Sequence, residues 1–337
     1  MGIRVLAAAC AAALATAATF GGTASAGPVY DGQTVILIVP NSPAGLMSQY
    51  ARTIAPHLAR HLGAAEVRVE NHQGAGGLKG ANLLWQADPD GLTIAFTNVP
   101  SLIMAQLAGS PGVQFDVAKF TYLGRVAAEP RVLTVGAVSE IKGITDIKAL
   151  GRSFSYASQG TDEDFYATAV LADSLGFPLK IVTGYEGNAD TALAVIKGDV
   201  DGQTTGWIAS KGAVQAGEKR VVLFFGEERL AELPDVPAAM ELVEDPERKR
   251  VLGAAIDILE MSRGFFGPPD MDGAATAEMR AAVAETLADP ALIEEAKKAG
   301  LDLSFENGAD HQQAVTQALA AGEALGAVMK AAVESIR

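Results

Sequence analysis

The side chains with chemical capacity are few and scattered. Ser158 sits in Tyr156-Ala157-Ser158-Gln159-Gly160, one residue short of a nucleophile elbow, because Tyr156 stands where the first glycine of that turn belongs. A serine nucleophile needs a base oriented beside it. His57, His61, His72 and His311 are the only histidines, and no signature places one next to Ser158. His57 and His61 lie four apart, a spacing that turns both rings to one side of a helix, as in a metal pair. Ile54, Leu58 and Leu62 define that helix's apolar stripe, which leaves the histidines on its flank with Arg60 nearby. No cysteine or carboxylate joins them at ligand spacing, so the sequence predicts a solvated pair rather than a metal centre. The stretch from Gly74 to Gly80 fails both nucleotide-loop patterns: Lys79 holds the third glycine position, and no Gly-Lys-Ser/Thr ending follows. Neither a cofactor nor a metal is expected.

The segment around which the rest of the chain is organised is Thr34 to Arg52, TVILIVPNSPAGLMSQYAR. Val35 to Val39 is aliphatic throughout, as in a strand buried on both faces of a parallel sheet. Pro40, Pro43 and Gly45 interrupt regular structure, and a helix is predicted to restart near Ser48, whose hydroxyl suits an orphan backbone N–H. The loop thus lies at a strand's carboxyl end and a helix's amino end. Ligands bind at that place in open α/β sheets, and the unpaired N–H groups favour an anion.

The elements that must position this loop alternate strand and helix. A helix is predicted over 48–62 with a kink or restart at Pro56, then a strand over 66–70, and a glycine turn opening a helix through Trp85. Asp88-Pro89-Asp90-Gly91 is a turn, and strands follow over 92–96, 120–126 and 132–137. A brief helix at 145–150, a strand at 154–157 and a helix at 161–175 precede strands at 179–183, 200–204 and 221–225. Beyond Ala238 the chain reads as mostly helical, interrupted from Gly253 to Pro269. Trp85 and Met104 read as ordinary core residues. Repeated alternation means a parallel or mixed sheet covered by helices. Arg125 to Arg131 and Phe225 to Leu233 read as crossings between two lobes, each an apolar run that turns charged and approaches a proline. The predicted division is 27–126 plus 227–337 for a discontinuous first lobe and 127–226 for the second, a hinged design.

Met1 to Ala26 reads as a cleaved secretory signal: Arg4 in a short n-region, an apolar stretch to Ala18, and Ala24-Ser25-Ala26 before Gly27. Cleavage would remove Cys10, the only cysteine, so no disulfide is expected. All 40 acidic residues but only 25 of the 26 basic ones lie beyond Ala26, giving a mature charge of −15. That balance excludes nucleic acid and anionic lipid as partners. No later apolar run reaches the ~20 residues a membrane helix needs.

Several short motifs in order give the chain a family resemblance. They are Val39-Pro40 with Ser42-Pro43 and Gly45; Val69-Glu70-Asn71 with Gly74-Ala75-Gly76-Gly77; Asp88-Pro89-Asp90-Gly91-Leu92-Thr93; and Tyr156-Ala157-Ser158-Gln159-Gly160. Gly184-Tyr185-Glu186-Gly187, Gly198-Asp199-Val200-Asp201 and Leu233-Pro234-Asp235-Val236-Pro237 continue the series. The chain resembles the extracytoplasmic solute-binding receptors of tripartite tricarboxylate transporters, the Bug receptors, over nearly its whole mature length. The resemblance implies an α/β, two-lobed periplasmic-binding-protein fold (type II-like), each lobe a mixed sheet flanked by helices, with a ligand cleft between. It implies a periplasmic location, a small organic anion as ligand and membrane transporter subunits as partners. It places ligand contacts at Asn41, Ser42, Ala44, Gly45 and Leu46 in the first lobe, at Ser158, Gly160 and Thr161 in the second, and at Tyr185 and Thr205 on the flanks.

Departures from the family pattern bear on the ligand. Ala44, Leu46 and Ser48 replace members of a usual glycine run and its aspartate, Asn41 replaces an aromatic, Glu186 a lysine and Thr205 an aspartate. The second-lobe loop continues as Asp162-Glu163-Asp164, acids that suit a helix's first turn or, alternatively, repel a second carboxylate and attract an ammonium. Leu46, Phe165, Tyr166 and Trp207 are either core or an apolar ligand wall. Two other function classes remain open: an exported serine hydrolase using Ser158, and an orphan ligand receptor serving a sensor protein.

Overall fold

A computed structural model describes residues 28–336, so the predicted signal and Cys10 lie outside the described residues. The chain runs β1 (Thr34–Val39), α1 (Leu46–Leu62), β2 (Glu66–Asn71), α2 (Leu78–Trp85), β3 (Thr93–Asn98), α3 (Val99–Leu107) and β4 (Phe120–Ala127). It continues with β5 (Arg131–Gly136), α4 (Ile144–Lys148), β6 (Phe154–Ala157), α5 (Glu163–Leu175) and β7 (Leu179–Val182). Next come α6 (Asn188–Lys197), β8 (Gly202–Gly206), α7 (Trp207–Gln215), β9 (Lys219–Phe225) and α8 (Pro246–Glu260). The last elements are β10 (Arg263–Pro269), α9 (Gly273–Ala288), α10 (Pro290–Lys298), β11 (Glu306–Asn307), α11 (Gly308–Ala321) and α12 (Glu323–Ser335).

Two mixed sheets organise these elements. One has the order β11-β4-β10-β3-β1-β2 and the other β7-β6-β8-β5-β9. The chain passes from the first to the second after Ala127 and leaves the second after Phe225. β1 is parallel to β2 and β3, whereas β10 is antiparallel to β3 and β4. In the second sheet β6 is parallel to β7 and β8, while β5 is antiparallel to β8 and β9.

The core explains the registers. Leu37 and Val39 face Tyr50, Ile54 and Leu58 of α1, all buried, while Ile38 faces the opposite core with Leu78 and Leu84 of α2. Each such aliphatic side chain removed from water contributes roughly 1.5–3 kcal/mol. Adjacent Phe265 and Phe266 of β10 point into those two cores in turn, as the two-residue period of a strand requires. α5 is buried along nearly its whole length, because α8 and α12 cover it beside α3.

Several sequence expectations are corrected. α1 starts at Leu46 with Gly45 as its cap, two residues before the predicted start, and it continues through Pro56 without restarting. The helix α8 runs past Gly253 to Glu260, and the rest of the predicted interruption contains the strand β10. Phe165 and Tyr166 are fully buried core residues, and Trp207 packs on Val132 and Val221; they are not a ligand wall.

Candidate functional site

The loop after β1 is braced from three sides. Asn71, at the end of β2, donates from Nδ2 to the Asn41 carbonyl at 2.9 Å and to Ser48 Oγ at 2.6 Å. Ser48 Oγ in turn donates to the Ser42 carbonyl at 2.8 Å, so the hydroxyl ties the loop rather than capping the helix. Arg52 donates to the Pro43 carbonyl at 2.7 Å. From below, α2 packs so closely on Pro40 that a Cβ on Gly80 would stand 2.6 Å from the proline Cβ. These contacts use the loop's carbonyls, and what remains is donor-rich. Gly45 caps the 17-residue α1 with no side-chain acceptor, and no acid occupies its first turn. Such a helix start carries roughly half a positive charge.

The loops at the carboxyl ends of the second sheet's strands approach the first sheet at its glycine turn after β2. Ser158 Oγ donates to the Gly160 carbonyl at 2.7 Å and accepts from the Gly160 N–H at 3.2 Å. Thr161 faces the first-sheet turn at Gly76, where a Cβ would lie 2.8 Å from the Thr161 carbonyl oxygen. Thr205, at the end of β8, is 2% exposed, and its Oγ1 has no hydrogen-bond partner. Gly206 then caps α7, again with no side-chain acceptor and no acid in the first turn. Tyr185 rests half-buried against Ala157, Ala194 and Val195. Asn41 to Leu46 form one group and Ser158 to Thr161 another. Contact between the two sheets' loops runs through Gly76 and Thr161 and through the cluster described next.

Asp162 caps α5 by accepting from the Phe165 N–H at 2.9 Å, and burial with Glu163 beside it pushes its pKa up to about 7. Glu163 and Asp164 turn inward. Arg131 lies 2.5 Å from Glu163 and 3.4 Å from Asp164, and Arg263 pairs with Glu129. All five side chains are buried. Burial raises the pKa of Asp164, opposed by Arg131. The acids of this helix start therefore serve the protein's interior, and sequence reasoning missed Asn98 and Arg131 as their partners and Asn71 as the brace of the first loop.

The histidines are engaged elsewhere. His57 is buried, not solvated, 3.0 Å from Glu295 and 3.5 Å from Asp289. His61 lies 3.2 Å from Asp289, and Arg60 pairs with the same carboxylate. This network joins α1 to the α9–α10 corner, correcting the expectation of a solvated pair. His311 is buried edge-on against Tyr122 at 5.0 Å. Among the described residues no group of three or more His, Cys, Asp or Glu side chains has metal-holding geometry. A depression of 450 Å³ lies on the outer flank of the first loop, lined by Ala44, Gly45, Gln49, Arg52 and Glu295. It includes no residue of the second sheet.

The sequence profile described as "Tripartite tricarboxylate transporter family receptor" matches residues 50–330. The chain belongs to this family. Members of the receptor family are solute-binding proteins rather than enzymes. The receptor is 26% identical over 278 residues to a protein from the tcbD-tcbE intergenic region of Pseudomonas sp. strain P51, covering 81% of this chain and 79% of that one. Its fold matches that of MatC from Rhodopseudomonas palustris, solved with bound malate. The TM-score is 0.69 at 21% identity, covering 89% of this chain and 99% of MatC. It likewise matches an R. palustris protein solved with adipate, at TM-score 0.70 and 21% identity, covering 88% and 97% of the two chains. The receptor thus has the α/β periplasmic-binding-protein fold with two mixed sheets. Among its described residues no helix is long and apolar enough to cross a membrane.

Proposed function

We propose that this receptor is exported to the periplasm through its amino-terminal signal, captures a small organic acid between two lobes and presents the closed form to a tripartite transporter. The lobes are 27–126 with 227–337, and 127–226. Asn41, Ser42, Ala44, Gly45 and Leu46 receive the carboxylate, and Ser158, Gly160, Thr161, Tyr185 and Thr205 close on it. The observation that carries this reading is the start of α1. A long helix with a glycine cap, no acid in its first turn and a braced loop holds orphan N–H groups where an anion is stabilised. The unpartnered, buried Thr205 hydroxyl supports the second side of the site, since buried hydroxyls are rarely left without a partner. Malate and adipate, seen in two relatives, support a carboxylate as the ligand class. Closure is a population shift: contacts made only when both lobes meet stabilise the closed form.

A thermal-shift screen over mono-, di- and tricarboxylates tests this, because a ligand of the native state raises the melting temperature. Gly45→Val sets a branched side chain 3.2 Å from the Ser42 carbonyl oxygen at the start of α1, and its expected result is weakened binding of the best acid with an unchanged fold. Calorimetry returning the parent affinity from a folded Gly45→Val protein would overturn the assignment of the loop. Co-purification with transporter subunits, against co-purification with a sensor protein, separates transport from sensing.

A further inference from the structure

One carboxylate in this receptor already has a complete binding site, and it belongs to the protein itself. Glu163, 4% exposed, opens α5 beyond the second sheet. Its Oε1 accepts from Asn98 Nδ2 at 2.6 Å and from Arg131 at 2.5 Å, and its Oε2 accepts from Ser101 Oγ. The Glu163 N–H donates back to Ser101 Oγ at 3.2 Å. Asn98 and Ser101 mark the start of α3, which follows β3 of the first sheet, and Asn98 caps that helix without donating or accepting a cap bond of its own. Arg131 stands just past the crossing between the sheets.

Three features set this cluster apart from an ordinary surface pair. Its charged members are buried, so the interactions are not screened by solvent. Its donors come from two elements on opposite sides of the seam. Glu163 is also two residues from Thr161, whose carbonyl meets Gly76, so the carboxylate lies beside a close backbone approach of the two sheets' loops, at the end of α5 that meets α3. Removing one partner of a buried, hydrogen-bonded charge leaves the others uncompensated.

We propose that Glu163 is a built-in carboxylate latch: held by Asn98, Ser101 and Arg131, it draws the two lobes together before any organic acid arrives. This rests on the two-lobe reading above and adds a second carboxylate-binding site, occupied from within. The latch fixes how much closure the incoming acid must supply. An unlatched receptor has a smaller binding-competent fraction, and its apparent affinity falls by that fraction.

The test uses the ligand-free protein, so it is independent of which acid the receptor captures. Small-angle scattering of Glu163→Ala is expected to give a larger radius of gyration than the parent. Hydrogen exchange at Ser101 and Glu163 is expected to quicken roughly tenfold as that fraction falls. Formate, which fits the vacated carboxylate position, is expected to restore the parent radius in Glu163→Ala, and neutral formamide is expected to fail. Asn98→Ala and Ser101→Ala, which each remove one donor, are expected to open the receptor to a lesser degree and serve if Glu163→Ala does not fold. A folded Glu163→Ala protein with the parent radius, or an opened one that formamide closes as well as formate, would overturn the latch. A parent protein that binds no acid would overturn the capture reading and leave the scattering result standing.

Discussion

Gly76→Ala tests the proposed closing of the two lobes at one contact, that of Gly76 with Thr161. Gly76 has φ +64, so any other residue there carries a left-handed cost of roughly 1–2 kcal/mol whatever the lobes are doing. The added Cβ also lies 2.8 Å from the Thr161 carbonyl oxygen, where ordinary contact begins at 3.4 Å, so the seam must yield by about 0.6 Å. Both sides of that contact are backbone, and no rotamer change relieves it. Overpacking of this kind costs about 1–3 kcal/mol, and only while the lobes meet. Capture that depends on closure therefore weakens roughly 5- to 150-fold. Gly109→Ala is the matched control: φ is +63 and nothing lies within 4 Å of its Cβ. Calorimetry with the best acid of the screen is expected to give the parent affinity for Gly109→Ala and the weakened one for Gly76→Ala. Equal affinities for the two variants would refute the closing of Gly76 on Thr161 as part of capture.

Two buried bases give the stability a defined pH dependence. Burial lowers the pKa of His311 from 6.5 to about 4, so the unfolded chain takes up the proton first and stability falls as pH drops from about 6.5, levelling near 4. The parent is expected to lose about 3 kcal/mol relative to His311→Phe across that window, read by urea unfolding; parallel curves would show that the ring is not held neutral. Lys219, 4% exposed, donates to Gln203 and Ser210 with no carboxylate partner, and burial lowers its pKa from 10.5 to about 8. Its destabilising effect is complete below pH 8 and is relieved as pH rises toward 10.5, where the parent is expected to gain about 3 kcal/mol on Lys219→Met. A constant difference between the two proteins over that range would contradict the burial argument.

Legibility in the sequence followed the physics of each element. β1 and α1 could be read because an aliphatic run and a stripe of Ile54, Leu58 and Leu62 have no competing explanation. β10 could not: Arg263-Gly264-Phe265-Phe266-Gly267-Pro268-Pro269 carries two glycines and two prolines, and its apolar pair serves two different cores, so no alternation shows. Gly253 ended the predicted helix about two turns too soon for the same local reason, although α8 simply continues through it to Glu260. At the candidate site the loop's backbone chemistry was visible in Pro40, Pro43 and Gly45. The partners of Glu163 were not, because Ser101 and Arg131 lie 62 and 32 residues away, and a buried ion cluster leaves no periodic trace. Asn71 was conspicuous only as part of a motif; its task of holding Asn41 and Ser48 emerges from the fold.

Capture at the seam is tested most directly by a crystal structure of the receptor with the acid that most raises its melting temperature. The expected result is a carboxylate against the N–H groups of the loop from Asn41 to Leu46, with Ser158, Gly160 and Thr161 closing over it and Thr205 Oγ1 partnered. A ligand seated instead in the outer depression beside Gln49, Arg52 and Glu295, with the seam left empty, would contradict the account.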